Sequence, residues 1–211
     1  MPARLLYEGE VPLAPYHWVH PPAALARDNQ TPSGGTGEIG LNTEGSGSAS
    51  ILTDDAQAGI IFPHDAVAPR RAVTSAIVRI TPVDPAAVAP PPKDLVFDGN
   101  GYRVEASYKS DGPISLRRAV TPVLRYPRHA TVLLRWNGGT WTVLDTKRVE
   151  AAQQLFAASD RLGVFAAART TGGGTSWVVY AAAGAAVLLA AALAAMMLRR
   201  RPSDAGGTAA V

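Results

Sequence analysis

The chain has 211 residues, a net charge of +3 and no cysteine. That length allows one or two domains, and the lack of cysteine excludes disulfides, thiolate metal sites and a cysteine nucleophile. Outside residues 199–201 the basic residues are scattered singly and in pairs. Nucleic-acid binding needs basic residues clustered on one face, so we expect no nucleic-acid partner.

Residues 1–30 are predicted to form an extended arm that docks on the domain following it. Several prolines in this stretch rule out a long helix, and its large apolar side chains are more than a disordered tail would carry. Tyr16 and Trp18 are the side chains expected to make the contact. His17 and His20 flank Trp18, but two histidines without further ligands do not predict a metal site.

Residues 31–50 are rich in glycine, serine and threonine, which predicts a flexible loop. A phosphate-binding loop would also need a preceding strand, a following helix and a Gly-Lys-Ser/Thr ending. The sequence around this stretch supplies none of these, so the loop interpretation is favoured.

Residues 51–168 are predicted to form a β-domain, because short apolar runs alternate with turn signals throughout. Residues 102–108 alternate between apolar and polar side chains, which is typical of a strand with one buried face. Asn and Gly tolerate the positive φ of tight hairpins. Strands are therefore expected at residues 51–53, 57–62, 74–81, 102–108, 120–126, 131–136 and 140–144, and turns at residues 98–101, 111–113 and 137–139.

Two segments of this region leave alternatives open. The prolines of residues 84–93 favour a stiff loop between strands over a polyproline II ligand. The first half of residues 148–168 has helical propensity, but the segment would also form two strands, at residues 148–156 and 161–168. The surrounding series of strands favours the second interpretation.

The sequence contains no pattern that predicts catalysis, a cofactor or a metal centre. Asp98 and Asn100 alternate as calcium ligands do, but a calcium loop needs more oxygen ligands and a distal glutamate. The four histidines accompany neither a Gly-x-Ser-x-Gly turn nor a recognisable Ser-His-Asp arrangement. We therefore expect no enzymatic activity, no cofactor and no bound metal.

Several packing motifs follow one another along residues 50–168. They are a strand ending in a Pro-x-x-Ala turn at residues 60–67, a strand closed by proline at 76–82, a strand bounded by prolines at 122–127, a hairpin with an aromatic residue before its turn and a Trp after it at 133–144, and a closing strand at 161–166. In these motifs the region resembles the β-sandwich domain shared by zonula-occludens, netrin-receptor and ankyrin proteins and by many bacterial surface proteins.

This resemblance implies a domain used for interaction or mechanical linkage, without catalysis of its own. Some relatives of that domain cleave their own chain at a His-Phe-Ser tripeptide near the last strands. Here residues 155–157 are Leu-Phe-Ala, so no self-cleavage is expected at this place.

Residues 177–198 contain no charge and no proline and predict a transmembrane helix. At about 1.5 Å per residue this helix spans roughly 33 Å, enough to cross a hydrocarbon core of about 30 Å. The expected anchor residues are Trp177, Tyr180, Gly184, Leu188, Leu189, Leu193 and Leu198. Arg199, Arg200 and Arg201 follow and predict a cytoplasmic C-terminus by the positive-inside rule. Residues 169–176 are predicted as a flexible stalk and residues 199–211 as a short basic, then disordered tail.

The predicted topology is a single-pass cell-membrane protein with its N-terminal domain outside the cytoplasm. Residues 1–30 lack the apolar core of a signal peptide, which conflicts with export of a domain ahead of a membrane helix. We expect a signal peptide upstream of Met1, in preference to a tail-anchored protein with a cytoplasmic domain.

Together these observations predict a fold that is mainly β, an antiparallel β-sandwich plus one C-terminal transmembrane α-helix. The expected function is display of a non-catalytic interaction domain that binds a protein or glycan partner at a bacterial cell envelope. The alternative is a non-enzymatic accessory subunit of a membrane complex. Small residues at Ala181, Gly184 and Ala185 would let a second helix approach closely and give a helix-mediated oligomer.

Overall fold

The computed structural model describes residues 13–109 and 112–171, which form two antiparallel sheets. The six-stranded sheet has the order β1-β4-β5-β11-β7-β8, and the five-stranded sheet has the order β2-β3-β6-β10-β9. The strands are β1 (Gly35–Gly40), β2 (Ala49–Leu52), β3 (Ala58–Phe62), β4 (Ser75–Val83), β5 (Leu95–Tyr108), β6 (Thr121–Arg125), β7 (Val132–Trp136), β8 (Trp141–Val143), β9 (Thr146–Val149), β10 (Gln154–Ala157) and β11 (Gly163–Thr170). The prediction of a mainly β, antiparallel sandwich is confirmed.

The main core lies between the two sheets and is filled by alternate residues of the strands. Tyr102, Phe62 and Phe165 are its largest fully buried side chains. The predicted alternation along residues 102–108 is confirmed, since Tyr102, Val104 and Tyr108 are buried while the intervening charged residues are exposed. Burial of each large apolar side chain contributes roughly 1.5–3 kcal/mol.

A second apolar cluster covers the other face of the six-stranded sheet. Its centre is strand β11, where Val164 and Ala166 belong to this cluster while Phe165, which points the opposite way, belongs to the main core. Trp141 joins the cluster and donates its indole N–H to the carbonyl of Ala89 at 3.2 Å. Because β11 is buried on both faces, its sequence is a continuous apolar run rather than an alternating one.

The proline-rich segment of residues 84–93 covers this second cluster. It begins with a single helical turn, α1 (Pro85–Val88), in which the Asp84 carboxylate accepts a hydrogen bond from Ala86 N–H at 2.9 Å. Proline suits the first turn of a helix because its missing N–H would be unpaired there. Leu95 and Val88 pack on the cluster from this side. The segment therefore connects two strands, as expected, but it does so with a capped helical turn.

The turn predicted at residues 98–101 is wrong. These residues lie inside β5, which continues unbroken from Leu95 to Tyr108. Opposite them on β11, Ala166 pairs with Gly101 and Ala168 pairs with Phe97, so three residues of β5 face a single residue of β11. Gly99 adopts a φ of +113°, a backbone conformation that glycine readily takes. Here this conformation forms a β-bulge instead of a chain reversal.

The flexible loop predicted over residues 31–50 is also wrong in part, because Gly35–Gly40 forms strand β1. This strand is paired with β4 from Gly35 opposite Ile80 to Gly40 opposite Ser75. A side chain on Gly37 would come within 2.5 Å of Ile51. The glycines here allow β1 to approach the other sheet closely, a use that composition alone does not distinguish from flexibility.

The predicted hairpin at residues 137–139 is confirmed. Trp136 pairs with Trp141 across it, and the Asn137 side-chain oxygen accepts hydrogen bonds from Gly139 N–H at 3.0 Å and Thr140 N–H at 2.8 Å. The region of residues 148–168 forms strands, as favoured. A turn at residues 150–153 divides the first predicted run into β9 and β10.

We predict that Gly35→Ala destabilises the domain by about 1–3 kcal/mol, the usual cost of overpacking a well-packed site. A methyl group at Gly35 would overlap the main-chain carbonyl of Leu52, which cannot rotate away. Thermal unfolding of the full-length protein in detergent measures this as a decrease in Tm. Gly40→Ala is the matched control, since nothing lies within 4 Å of the added carbon. Equal melting of both variants would contradict the close approach of β1.

Candidate functional site

The predicted transmembrane helix, residues 177–198, lies outside the described residues, and so do residues 172–176 of the stalk and the whole tail, including Arg199–Arg201. In the part of the chain that the structure describes, no helix is long and apolar enough to cross a membrane. The predicted anchor and topology residues therefore remain predictions. Among the described residues no three histidine or acidic side chains lie close enough to hold a metal ion.

Two surface features of the domain are candidate interaction sites. The first is the arm-binding site, which we define as Gln57, Asn100, Arg125 and Arg128. It is occupied by the chain's own N-terminal arm. The second is the arginine groove, an open cleft on the six-stranded sheet.

Asn100 is the centre of the arm-binding site. It lies at the end of the β5 bulge and is buried to 3% exposure. Its amide nitrogen donates to the carbonyl of His17 at 2.8 Å, and its amide oxygen accepts from Val19 N–H at 2.8 Å. One side chain thus binds two main-chain groups of the arm, as a neighbouring strand would.

Tyr16 fills the space that the bulge leaves. Its hydroxyl accepts a hydrogen bond from Asn100 N–H at 2.9 Å. A side chain on Gly99 would lie 2.6 Å from that hydroxyl, so glycine is required there by space as well as by backbone conformation. Burial raises the pKa of Tyr16 well above its ordinary range, and burial likewise raises the pKa of Tyr102 beneath it to about 12. Both hydroxyls therefore stay protonated at neutral pH.

Trp18 is held on three sides. Its ring packs edge-on against Tyr16 at 5.0 Å between centroids, and the guanidinium of Arg128 lies over it at 5.6 Å. Its main-chain N–H and carbonyl both bond the side chain of Asn29 at 2.9 Å. Cation–π and aromatic edge contacts of this kind each contribute on the order of 1 kcal/mol.

A buried polar group links the arm to the five-stranded sheet. Gln57, 1% exposed, accepts a hydrogen bond from His17 N–H at 3.1 Å and donates to Asp55 at 2.6 Å. The His17 ring nitrogen Nδ1 lies 3.6 Å from Asp55 Oδ2. Burial opposes ionisation of Asp55, but hydrogen bonds from Ser33, Thr53 and Gln57 outweigh it and lower the pKa of this carboxyl.

The side chains that suggested calcium have other partners. Asp98 accepts a hydrogen bond from His129 N–H at 2.7 Å, and the Asn100 oxygen binds the arm. Asp98 therefore stabilises the bulge, and Asn100 holds the N-terminal arm against it. The remaining histidines with acidic neighbours are His20, 3.4 Å from Asp84, and His64, 2.9 Å from Asp65.

The arginine groove has a volume of about 420 Å³ and lies where β5, β7 and β11 run side by side. Gly163 and Val164 at the start of β11 line it, together with Arg103, Glu105, Arg135, Trp136, Asn137 and Arg161. Arg135 is largely buried and bonds Ser159 and Asp160, so it is part of the framework. Arg161 is 75% exposed and lies 3.9 Å from Asp160, and Arg103 is exposed. Two exposed guanidinium groups therefore line the same cleft as Trp136.

Sequence reasoning identified Tyr16 and Trp18 as docking residues and missed the residues that receive them. Gln57, Asn100 and Arg128 carry no local signal of their own. The glycine pattern of residues 98–101 was the available clue, since an Asp-Gly-Asn-Gly sequence inside a strand-like run marks a bulge as well as a turn.

No protein-family model matches the chain, and a search of curated proteins finds no match either.

We predict that Asp55→Asn lowers the free energy of unfolding by about 1.5–3 kcal/mol at neutral pH, the range for hydrogen bonds to a charged group. The folded pKa of Asp55 lies below the unfolded value of about 4. Its stabilising effect is therefore complete above about pH 5 and is lost as the pH falls through the folded pKa.

Urea unfolding of the full-length protein at a series of pH values measures this effect. The wild-type and Asp55→Asn midpoints should converge below about pH 4. A constant separation at every pH would show that the carboxylate charge plays no part.

Proposed function

We propose that this chain is a single-pass membrane protein that displays a non-catalytic β-sandwich interaction domain outside the cytoplasm. In this proposal the arginine groove binds a protein or glycan partner of the cell envelope, with Arg103 and Arg161 pairing with acidic groups. A cleft lined by an indole and by guanidinium groups suits such a surface, because Trp and Arg dominate binding energy at interfaces.

The position of the groove on strand β11 carries the proposal. Gly163, at the start of the strand, lines the groove. Thr170, at its other end, precedes the chain that continues to the predicted anchor. Eight residues of strand separate these ends by roughly 23 Å. The groove and the residue that leads to the predicted anchor therefore lie at opposite ends of this strand.

The resemblance to the zonula-occludens, netrin-receptor and ankyrin type of sandwich supports the same proposal. The two tryptophans of the hairpin, Trp136 and Trp141, pack with ring centroids 5.5 Å apart, which is the arrangement expected from that resemblance. Membership of that family would imply interaction or mechanical linkage without catalysis.

The alternative proposal is an accessory subunit that associates through its transmembrane helix. The sequence observation favouring it is the small residues at Ala181, Gly184 and Ala185, which would let a second helix approach closely if this segment is the predicted helix. Bulky isoleucines at Ala181 and Gly184 would abolish association of that kind and leave binding by the arginine groove intact.

We predict that protease added to intact cells digests the domain. Arg169 and Thr170 of the predicted stalk belong to strand β11 and pair with β5, so the prediction is wrong for these two residues. Residues 171–176 contain only glycine, serine and threonine and should be cut first. Immunoblotting of a tag fused after Val211 should then show a short membrane-retained fragment. Full protection on intact cells, with digestion after permeabilisation, would place the domain in the cytoplasm and contradict the proposed display.

We predict that Arg103→Glu combined with Arg161→Glu weakens partner binding about tenfold, since each exposed ion pair contributes up to about 1 kcal/mol and charge reversal adds repulsion. The measurement is co-sedimentation of detergent-solubilised full-length protein with purified envelope polysaccharide or with the envelope protein fraction. Arg27→Glu is the matched control, because Arg27 is exposed and lies outside the groove lining. Unchanged binding by the double variant would exclude the groove as the contact.

A further inference from the structure

We propose that the arm-binding site also takes the arm of a second copy of this chain, so that two copies exchange arms and form a dimer. This inference goes beyond the proposed display function and does not depend on it.

The first argument is that the arm is bound as a peptide ligand is bound. None of residues 13–30 belongs to a strand. Their main-chain groups are instead bound by side chains of the domain. Arg125 donates to the Ala14 carbonyl, Gln57 accepts from His17, and Asn100 bonds both His17 and Val19. Such a set of contacts is independent of whether the arm and the site belong to one chain.

The second argument identifies the occupant. The site accommodates a tyrosine against Gly99 and, two residues later, an indole beneath Arg128. Tyr-x-Trp occurs once in the sequence, at Tyr16–His17–Trp18. A second copy of the chain supplies this same peptide with every contact preserved, so it is the partner that the site fits.

The third argument is that the arm and its connection have the properties of an exchangeable element. Asn29 bonds both main-chain groups of Trp18, so residues 18–29 form a loop that can move as a unit. Five residues, 30–34, join this loop to β1. Short connections of this kind favour exchange of an identical element between copies.

The docked arm also leaves polar atoms unpaired. Within the described residues, His17 Nδ1 and Arg125 Nε are buried without a hydrogen-bond partner. His17 Nδ1 stops 3.6 Å from Asp55 Oδ2, beyond the usual range of about 2.7–3.2 Å. Release of the arm therefore breaks no hydrogen bond at the His17 ring.

The test is complementation between two full-length variants carrying different affinity tags. Tyr16→Ala has a defective arm and an intact site, whereas Asn100→Ala has an intact arm and a defective site. Both are made in an Ala181→Ile, Gly184→Ile background, which removes association through the predicted helix. The variants are co-expressed, extracted in detergent and purified through one tag, and the other tag is quantified.

Arm exchange predicts that the parent background co-purifies with itself and that each variant paired with itself co-purifies about tenfold less. The mixed pair regains co-purification, because the intact arm of the Asn100→Ala variant can bind the intact site of the Tyr16→Ala variant. A parent that does not co-purify with itself, or a mixed pair as weak as the single variants, overturns the proposal.

Cross-linking provides a readout that does not depend on the folding of those variants. The chain has no cysteine, so Ala14→Cys in one copy and Arg125→Cys in the other can be joined by a short bismaleimide while Tyr16 and Asn100 remain intact. Exchange predicts a cross-linked dimer carrying both tags. Lys109→Cys, at an exposed position directly after β5, replaces Arg125→Cys in the negative control. A third variant carries Ala14→Cys and Arg125→Cys in the same chain. Cross-linking within that chain, with no cross-linked dimer from the two single-cysteine variants, would show that the arm docks only on its own domain.

Discussion

The β-bulge of Asp98, Gly99 and Asn100 is the constraint on which the rest of the domain depends. Three residues of β5 face one residue of β11 at this point, so their main-chain groups have lost their strand partners in the middle of a buried sheet. Buried main-chain groups without partners cost about 1–3 kcal/mol each. The N-terminal arm supplies one such partner, since the Tyr16 hydroxyl accepts the Asn100 N–H, and the His17 carbonyl and Val19 N–H of the arm bond the Asn100 side chain. The arm is therefore part of the sandwich, although it belongs to no strand.

The bulge also explains the polar character of this end of the core. Gln57, which is buried, and Asp55, which is partly buried, lie in the connection between β2 and β3 of the five-stranded sheet. Each of them is hydrogen-bonded, and Gln57 contacts the arm. A buried polar network stabilises when its members are paired and is costly when one is removed. The same arrangement makes the site specific, because a ligand must present the right main-chain groups as well as a tyrosine and an indole.

The strands could be predicted from sequence because their signals are local. Alternation along residues 102–108 and the Asn-Gly-Gly turn are properties of neighbouring residues. The errors concern glycine. At residues 98–101 glycine supports a bulge, and at residues 35–40 it allows close packing of two sheets, yet both patterns also fit turns and loops. Whether a glycine forms a turn or allows close packing depends on the residue it faces in the folded protein. Gly99 faces Tyr16 and Gly35 faces Leu52, and both contacts join residues that are distant in the sequence.

The candidate sites were predictable to different degrees for the same reason. Tyr16 and Trp18 are large aromatic residues in a proline-rich stretch, and this alone predicts that they dock. Asn100, Gln57 and Arg128 become a site because three separate elements meet at the bulge. The arginine groove likewise joins Arg103 and Arg161, which are 58 positions apart in the sequence. Neither juxtaposition has a local signature.

Hydrogen exchange of the His17, Val19 and Asn100 amides in the full-length protein tests the role of the arm most directly. If the arm completes the sandwich, these three amides exchange as slowly as those of core strand β4, because they open in the same unfolding event. Exchange of these amides as fast as that of the exposed hairpin turn at Gly138, with the β4 amides still protected, would contradict this account. It would show that the domain stays folded when the arm dissociates.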